Sequence, residues 1–195
     1  MKVLVACEFS GIVRDAFAAK GHDAWSCDLL PTERPGQHYQ CSILDVLANE
    51  LEWDLMVAHP PCTYLAVSGA RWFESRYRQQ EDALDFVRAL MKANIPRIAL
   101  ENPVSVISTK VRKPDQIIQP YYFGEPFKKT TCLWLKGLPL LKPTNNLGNG
   151  KQACWREPPH PDRWKRRSRT YQGIANAMAD QWGGLQPQGV SGEQG

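Results

Sequence analysis

The sequence predicts an α/β protein with a mostly parallel sheet and helices on both of its faces. Short apolar runs of strand length alternate with amphipathic segments of helix length through the first half of the chain. Polar or reactive residues directly follow several of the apolar runs, and ligands of an open α/β sheet bind at the carboxyl ends of its strands. One pattern therefore predicts both the fold class and the position of the functional site.

Each element is predicted from its own apolar pattern and end signals. Lys2–Cys7 is predicted to be a buried strand, Ile12–Lys20 a helix that stops at Gly21, and Asp23–Cys27 a second strand. The remaining predicted elements are the strands Gln40–Leu44, Leu55–Ala58, Arg97–Leu100 and Thr131–Leu135, the amphipathic helix Gln79–Ala93 and the closing helix Tyr171–Trp182.

Length and composition indicate one globular domain. The chain has 195 residues, of which 43% are hydrophobic and 23% charged. We interpret residues 1–182 as a single domain, residues 137–169 as an irregular basic insert, and residues 183–195 as a disordered tail. No apolar run approaches the roughly 18–20 residues that span a bilayer, and no signal peptide is evident, so we expect a cytoplasmic protein without membrane contact.

Cysteine spacing and charge distribution narrow the function classes. The six cysteines form no C-x-x-C pair, so we predict no metal site, and Cys7, Cys27 and Cys41 are expected to be buried small hydrophobes in a reducing compartment. The net charge is a mild +4, but cations and aromatic residues interleave between Arg156 and Tyr171. This segment predicts contact with a nucleic acid or nucleotide, and a solvated basic loop is the alternative.

Two residues near predicted strand ends are suited to covalent chemistry. Pro60-Pro61-Cys62 follows the strand Leu55–Ala58, and the two prolines hold a thiol at a stiff turn, where it is placed as a nucleophile. Glu101 follows the next strand, so its carboxyl group is expected to face the same crevice. Such a pair suits attack on an electron-poor ring with proton transfer at a ring nitrogen. An incidental loop cysteine and a salt-bridged carboxylate are the plainer interpretations.

A second series of residues follows the first three predicted strands. Phe9-Ser10-Gly11 comes after the first strand, Asp28 after the second and Asp45 after the third. A glycine in a turn lets the backbone approach a ligand, and a carboxylate after the second strand is the usual partner of ribose hydroxyls. The order of these residues relative to Cys62 and Glu101 predicts a cofactor-binding side beside the reactive pair.

These motifs resemble those of the cytosine-C5 DNA methyltransferases that use S-adenosylmethionine. Phe9-Ser10-Gly11 is similar to the first motif of that family, and Asp28 to its ribose-binding acid. Pro60-Pro61-Cys62 resembles the nucleophile motif, Glu101-Asn102-Pro103 the Glu-Asn-Val motif, and Gly173-Ile174-Ala175-Asn176-Ala177 the Ile-Gly-Asn-Ala motif. The five motifs occur in the same order along the chain as in that family, and the chain resembles a compact phage- or prophage-like member of it.

The resemblance implies a Rossmann-like class I methyltransferase fold, S-adenosylmethionine as cofactor, S-adenosylhomocysteine as its product, and DNA as partner in a bacterial host cell. Cys62 would attack C6 of a flipped cytosine, protonated Glu101 would donate to N3, and C5 would take the methyl group. The implied cofactor-binding residues are Phe9, Ser10, Gly11, Asp28, Asp45, Pro60 and Asn176. The candidate DNA-binding residues are Arg71, Lys128, Lys129, Arg163, Lys165, Arg166 and Arg167.

The chain also departs from the pattern of that family. Val13 and Arg14 stand where further glycines are usual, and the Gln-x-Arg motif has no clean match, with Lys129 or Thr131 as candidate replacements. Little more than residues 137–168 is left for a separate reader of DNA sequence. Three hypotheses stay open: a DNA methyltransferase of relaxed specificity, a C5 pyrimidine methyltransferase acting on a nucleotide or RNA, and a non-catalytic DNA-binding protein. The oligomeric state is left open as well.

Overall fold

Nine short strands are defined in the part of the chain that the structure describes. The computed structural model of the protein describes residues 1–49, 51–152 and 160–185. The strands are β1 (Lys2–Ala6), β2 (Asp23–Asp28), β3 (His38–Gln40), β4 (Leu55–Ala58), β5 (Arg97–Pro103), β6 (Gln116–Ile118), β7 (Phe127–Lys128), β8 (Thr131–Lys136) and β9 (Lys151–Gln152).

Seven of these strands form one sheet in the order β3-β2-β1-β4-β5-β8-β6. The neighbours from β3 to β5 are all parallel, whereas β8 runs antiparallel to both β5 and β6. The chain moves outward from β1 to β3 and then returns to place β4 on the other side of β1. An open sheet leaves a crevice for ligands where its strand order reverses in this way, so the site is expected beside the ends of β1 and β4.

Helices cover both faces of the sheet. They are α1 (Ile12–Ala18), α2 (Ile43–Ala48), α3 (Tyr77–Lys92), α4 (Ile107–Lys110), α5 (Arg163–Ser168) and α6 (Gln172–Gly183). Alternate side chains of β1 point to opposite faces. Val3 and Val5 pack in one buried cluster with α1 and α6, whereas Leu4 and Ala6 pack in a second cluster with α3. The predicted Rossmann-like α/β class is therefore confirmed.

The predicted third strand is wrong in its position. Only Gln40 of the segment Gln40–Leu44 belongs to a strand, and α2 begins at Ile43. Ser42 is the reason, because its side chain accepts a hydrogen bond from the backbone N–H of Leu44 at 3.3 Å and so caps the helix. The apolar residues that suggested a strand are instead the buried face of α2.

The strand that carries Glu101 is longer than predicted. β5 continues beyond Leu100 to Pro103 because β8 pairs with it, with Pro103 opposite Thr131. Glu101 therefore lies inside a strand, paired with Leu133 of β8, one residue past the end of the pairing with β4.

Toward the C-terminus, the insert predicted to be irregular contains β9 and α5. The first residue of the predicted tail, Gly183, is the last residue of α6. Residues 153–159, which include Arg156, and residues 186–195 lie outside the described residues. Within the described ranges, no helix combines the length and the apolar character needed to cross a membrane.

Candidate active site

The turn that carries Cys62 is fixed to the neighbouring strand. The amide nitrogen of Asn102, which is 1% exposed, donates to the carbonyl oxygen of Pro60 at 2.9 Å. The backbone N–H groups of Leu65 and Ala66 donate to the carbonyl of Cys62 at 3.0 and 2.9 Å, which closes a turn after the cysteine. Cys62 is exposed. The motif therefore presents a thiol on a rigid backbone at the carboxyl edge of the sheet.

Glu101 is held by a histidine that the sequence analysis missed. His59 Nδ1 lies 3.2 Å from Glu101 Oε2, and the two side chains are only 8% and 13% exposed. Burial raises the pKa of Glu101, but the hydrogen bond from His59 and the charge of Lys129 outweigh it and hold that pKa below its usual value. The carboxylate is therefore ionised at neutral pH. His59 carries no periodic or spacing signal beyond its position before the two prolines.

The pKa of the Cys62 thiol reports the charges around it. Desolvation, and after it the negative charge of Glu101, raise this pKa above the usual value, while Lys129 and Arg167 oppose the rise. The sequence prediction that Cys62 and Glu101 face one crevice is consistent with this mutual influence. It also shows that a cation of the basic insert, Arg167, acts at the same place.

A cleft of about 540 Å³ opens beside the reactive pair. We define the cleft by residues that follow β1 to β4 and by one face of α3. Its walls include Cys7, Asp28, Cys41, Pro61, Thr63 and Phe86. The lining is mostly apolar with a carboxylate at the end of β2, a combination that suits an adenine ring and the hydroxyl groups of a ribose.

Cysteines contribute an unexpected share of the cleft wall. Cys27 is buried as predicted, but Cys7 and Cys41 are only half-buried, so the prediction that all three are core hydrophobes is wrong. Cys41 lies in the bend between β3 and α2, and Cys7 lies just past β1 with φ 58°. Burial raises the pKa of Cys27 to about 12, which keeps it a neutral thiol. Among the described residues, no group of three metal-ligating side chains is assembled.

The residues predicted to bind a cofactor separate into two groups. Asp28 lines the cleft, and burial raises its pKa although Leu30 N–H donates to its carboxylate at 3.0 Å. Pro60 is buried beneath the turn of Cys62. By contrast, Asp45 is exposed on α2 and Asn176 is exposed on α6, where it accepts a hydrogen bond from Gln172. Neither Asp45 nor Asn176 lies in the wall that the described residues form around the cleft.

The predicted Phe9-Ser10-Gly11 turn is shaped by a second residue that was missed, Glu8. The buried carboxylate of Glu8 accepts hydrogen bonds from the backbone N–H groups of Val13 and Arg14 at 2.7 and 3.2 Å, and from the Ser10 hydroxyl at 3.1 Å. The Glu8 side chain therefore satisfies two backbone N–H groups in the first turn of α1, which have no partner within the helix. Gly11, the residue just before α1, has φ 72°, a left-handed conformation that favours glycine.

Arg14 explains why the turn tolerates a departure from the glycine-rich pattern. Its side chain is 1% exposed and donates to the Ser26 hydroxyl at 3.2 Å and to the carbonyls of Arg34 and Pro35 at 3.1 Å each. The guanidinium fills the space beside Gly36, where a Cβ would lie 2.6 Å from Arg14 Cζ. Arg14 thus fixes the loop that follows Asp28.

A second cavity, the basic pocket, has a volume of about 380 Å³. Its wall includes the cations Lys129, Arg166, Arg167 and Arg169, the carboxylate Glu125 and the aromatic rings of Phe127 and Tyr171. Two contacts tie the segment 164–169 to the rest of the protein. Lys129 Nζ donates to the carbonyl of Arg169 at 3.1 Å, and Trp164 of α5 packs on Phe9 with ring centroids 5.9 Å apart.

The other candidate DNA-binding residues lie outside the basic pocket. Lys165 is 3.6 Å from Asp162, and Arg163 is half-buried at the start of α5. Lys128 belongs to β7. Arg71 is exposed on the short 3₁₀ helix that follows Cys62, with its guanidinium carbon 5.1 Å from the centre of the Trp72 ring. Of the seven candidates, Lys129, Arg166 and Arg167 are the ones that converge on one cavity.

No model of a known protein family matches this sequence, and no curated protein matches it. The structure is similar to that of a protein from an Escherichia coli prophage that is described as a candidate DNA modification methyltransferase. The TM-score is 0.46 at 14% sequence identity, over 74% of this chain and 51% of that one. The chain therefore spans about half the length of that protein.

Proposed function

We propose that this chain is an S-adenosylmethionine-dependent DNA (cytosine-5-)-methyltransferase that acts through a covalent bond between Cys62 and C6 of the base. The observation that carries the proposal is the pairing of an exposed thiol on a rigid turn with a carboxylate on the adjacent strand, beside a cofactor-sized cleft. A protein that only binds DNA needs neither group. The five motifs that resemble the family supply the specific chemistry.

The residues of the cleft fit the proposed cofactor. Asp28 ends β2, where a carboxylate suits the ribose hydroxyls, and Phe86 and the thiols of the wall offer an apolar surface for adenine. Pro61 and Thr63 flank Cys62 and also line the cleft, so a methyl donor held there would lie next to the nucleophile. S-adenosylmethionine supplies an electrophilic methyl group and leaves as S-adenosylhomocysteine.

The residues divide the covalent steps among them. The Cys62 thiolate forms a bond to C6 of cytosine, and N3 takes a proton as the ring electrons shift. C5, now nucleophilic, takes the methyl group. A base then removes the C5 proton, Cys62 leaves with the electrons of its bond to C6, and N3 gives back the proton that it took in the first step. Lys129 and Arg167 assist the first step because their charges favour the thiolate form of Cys62.

Glu101 is ionised in this structure, so the proposed mechanism requires that it gain a proton before it can donate to the base. His59 and Lys129 keep the carboxylate ionised in this structure, so Glu101 first accepts a hydrogen bond from the exocyclic amino group of cytosine and must gain a proton before N3 can receive one from it. The negative charge of Glu101 also raises the pKa of Cys62. Protonation of Glu101 on binding of the base would therefore also ease formation of the thiolate.

A covalent trap tests the proposal directly. In 5-fluorocytosine the C5 hydrogen is replaced by fluorine, which a base cannot remove, so the step that releases Cys62 is blocked. DNA containing this base should therefore form a stable adduct with the protein in the presence of S-adenosylmethionine. We expect an adduct at Cys62 by mass spectrometry, its loss in Cys62→Ser, and its retention in Cys132→Ala, which removes a buried cysteine of β8. No adduct and no transfer of labelled methyl to any DNA, with cofactor binding intact, would contradict the proposal.

A free nucleotide is the second candidate substrate, because the basic pocket gathers cations around a cavity of about 380 Å³, which is within the size range of a small-ligand site. Methyl transfer to dCMP, RNA and DNA, compared under one set of conditions, distinguishes the substrates. The non-catalytic alternative predicts that Cys62→Ala leaves the biological activity of the protein unchanged.

A further inference from the structure

Three thiols share one wall of the cleft. Cys7 follows β1, Cys27 lies near the end of β2, and Cys41 directly follows β3. Because β2 pairs in parallel with both β1 and β3, the sheet brings these three strand ends together. No step of the proposed methyl transfer uses a thiol of this wall, so the cluster stands outside the reaction at Cys62.

Cys27 and Cys41 are already in contact. The Cys27 thiol donates a hydrogen bond to the carbonyl oxygen of Cys41 at 3.4 Å, and a side-chain hydrogen bond also joins the two thiols. Cys27 is fully buried, whereas Cys41 is half-buried in the bend before α2. A disulfide needs its two sulfur atoms about 2.05 Å apart. A movement of the bend at Cys41 toward β2 is therefore what joins the pair.

The two cysteines of this pair contribute different steps. Burial raises the pKa of Cys27 to about 12 and also raises the pKa of Cys7, so both stay neutral thiols at neutral pH. The thiolate, rather than the thiol, reacts with an oxidant. Oxidation therefore starts at Cys41, which lines the open cleft, and Cys27 lies beside it to complete a disulfide.

We propose that Cys41 and Cys27 are a reversible redox pair that reacts with a hydroperoxide. The Cys41 thiolate attacks one peroxide oxygen, which breaks the O–O bond and forms a sulfenic acid. The departing alkoxide or hydroxide takes up the proton that Cys41 had lost. The Cys27 sulfur then attacks the Cys41 sulfur, its S–H proton passes to the leaving hydroxyl group, and water departs. The two thiols lose two electrons, which the peroxide gains, and a dithiol reductant reverses the change.

The disulfide changes the cleft on the side where the cofactor is placed, a consequence that rests on the proposed function. It removes the S–H group that donates to the carbonyl of Cys41, and it draws the bend toward β2. Ser42, which caps α2, and Ile43 follow Cys41 in the cleft wall, and Asp28 follows Cys27. Oxidation therefore displaces groups on two sides of the ligand, and we expect the oxidised protein to bind the cofactor more weakly.

The test treats the protein with hydrogen peroxide in a Cys62→Ser background, so that oxidation of the exposed Cys62 cannot affect the result. Peptide mass spectrometry maps the disulfides. Calorimetry measures the affinity for S-adenosylhomocysteine before oxidation, after it, and after dithiothreitol. Two further variants are compared in the same background: Cys41→Ser, which removes one member of the pair, and Cys132→Ala, a matched loss of a buried cysteine on β8.

We expect a disulfide between Cys27 and Cys41 and a loss of affinity of roughly tenfold, both reversed by dithiothreitol. Cys132→Ala should respond in the same way, whereas Cys41→Ser should form no such disulfide and should keep its affinity after peroxide. A disulfide between other cysteines, or Cys41 left reduced or converted only to sulfinic acid, would overturn the redox pair.

The two measurements separate this inference from the proposed function. Unchanged affinity in the disulfide-bonded protein would overturn the effect on the cleft. If the reduced protein does not bind S-adenosylhomocysteine at all, the proposed function fails instead, and the mapped disulfide still decides whether Cys41 and Cys27 form a redox pair.

Discussion

The cleft and the basic pocket flank one reactive pair but are built in different ways. Apart from α3 and the start of α2, the cleft is lined by residues at or shortly after the ends of parallel strands, so the register of the sheet places them together. The basic pocket joins the approach to β8 with the end of the insert and the start of α6, which are continuous with each other but more than 30 residues from Lys129 in sequence. Sheet register fixes the first cavity, whereas packing between irregular segments fixes the second.

The largest effect is expected where the basic pocket depends on a backbone contact. A Cβ at Gly173 would collide with the carbonyl oxygen of Phe123, a backbone atom that cannot move alone. We expect Gly173→Ala to lower the free energy of unfolding by about 2–3 kcal/mol, seen as a drop in Tm of several degrees. Gly184→Ala is the control, because its nearest atom is Asp180 O at 3.5 Å. Equal stability of the two variants would show that α6 does not fix this wall.

Cofactor affinity offers the next largest effect, on the cleft side. Asp28 lines the cleft and Asp45 does not, although both were predicted as cofactor ligands. We expect Asp28→Asn to weaken binding of S-adenosylhomocysteine by roughly tenfold, the value of a charged hydrogen bond, and Asp45→Asn to change it less than twofold. Calorimetry measures both. A comparable loss in the two variants would mean that α2 turns toward the ligand on binding.

These two aspartates also show what the sequence could and could not predict. The order of apolar runs was enough to place Asp28, Cys62 and Glu101 at the correct edge of the sheet, because parallel strands end together. Asp45 was misplaced because the cap at Ser42 turns the chain into a helix one residue later. His59 could not be found, since its partner lies 42 residues away and only the pairing of β4 with β5 brings them together.

The pKa of Glu101 should depend on His59, because the hydrogen bond from His59 opposes the effect of burial. In the wild type its folded pKa lies below the unfolded value, so its ionised form contributes stability above the unfolded pKa, and this contribution is lost as the pH falls through the folded pKa. His59→Leu leaves burial as the main influence and should raise the pKa of Glu101, whereas His59→Asn keeps a hydrogen-bond donor and should raise it less. Carbon-13 NMR, assigned with Glu101→Gln, reads the titration. An unchanged pKa in His59→Leu would remove the histidine from this role.

A smaller effect is expected on the alkylation rate of Cys62, a residue between the cleft and the basic pocket whose pKa depends on Glu101 and on Lys129. Its pKa is raised, so alkylation by iodoacetamide should be slow at pH 7 and should accelerate as the pH rises above 8. Glu101→Gln removes a negative charge and so lowers the pKa of Cys62, which should speed alkylation at pH 8 by about 3–10-fold. Lys129→Met should slow it. Peptide mass spectrometry isolates Cys62 from the other cysteines, and effects of the same sign in both variants would contradict the assigned electrostatics.

The smallest expected effect concerns the ion pair that ties the cleft side to the basic pocket. Glu33 lies in the loop after β2, with its backbone N–H 2.8 Å from the carbonyl of Phe9, and its side chain meets Arg169 at 2.7 Å. The two side chains are 31% and 39% exposed, so solvent screens the pair and its coupling should be about 0.2–1 kcal/mol. A double-mutant cycle with Glu33→Gln and Arg169→Gln, read by chemical denaturation at low and at high salt, measures it. A coupling well above 1 kcal/mol that persists in high salt would mean that the loop beside the cleft and the wall of the pocket order as one unit. Ligand binding in the cleft would then be expected to change the wall of the basic pocket, whereas a weak, screened pair leaves the two cavities independent.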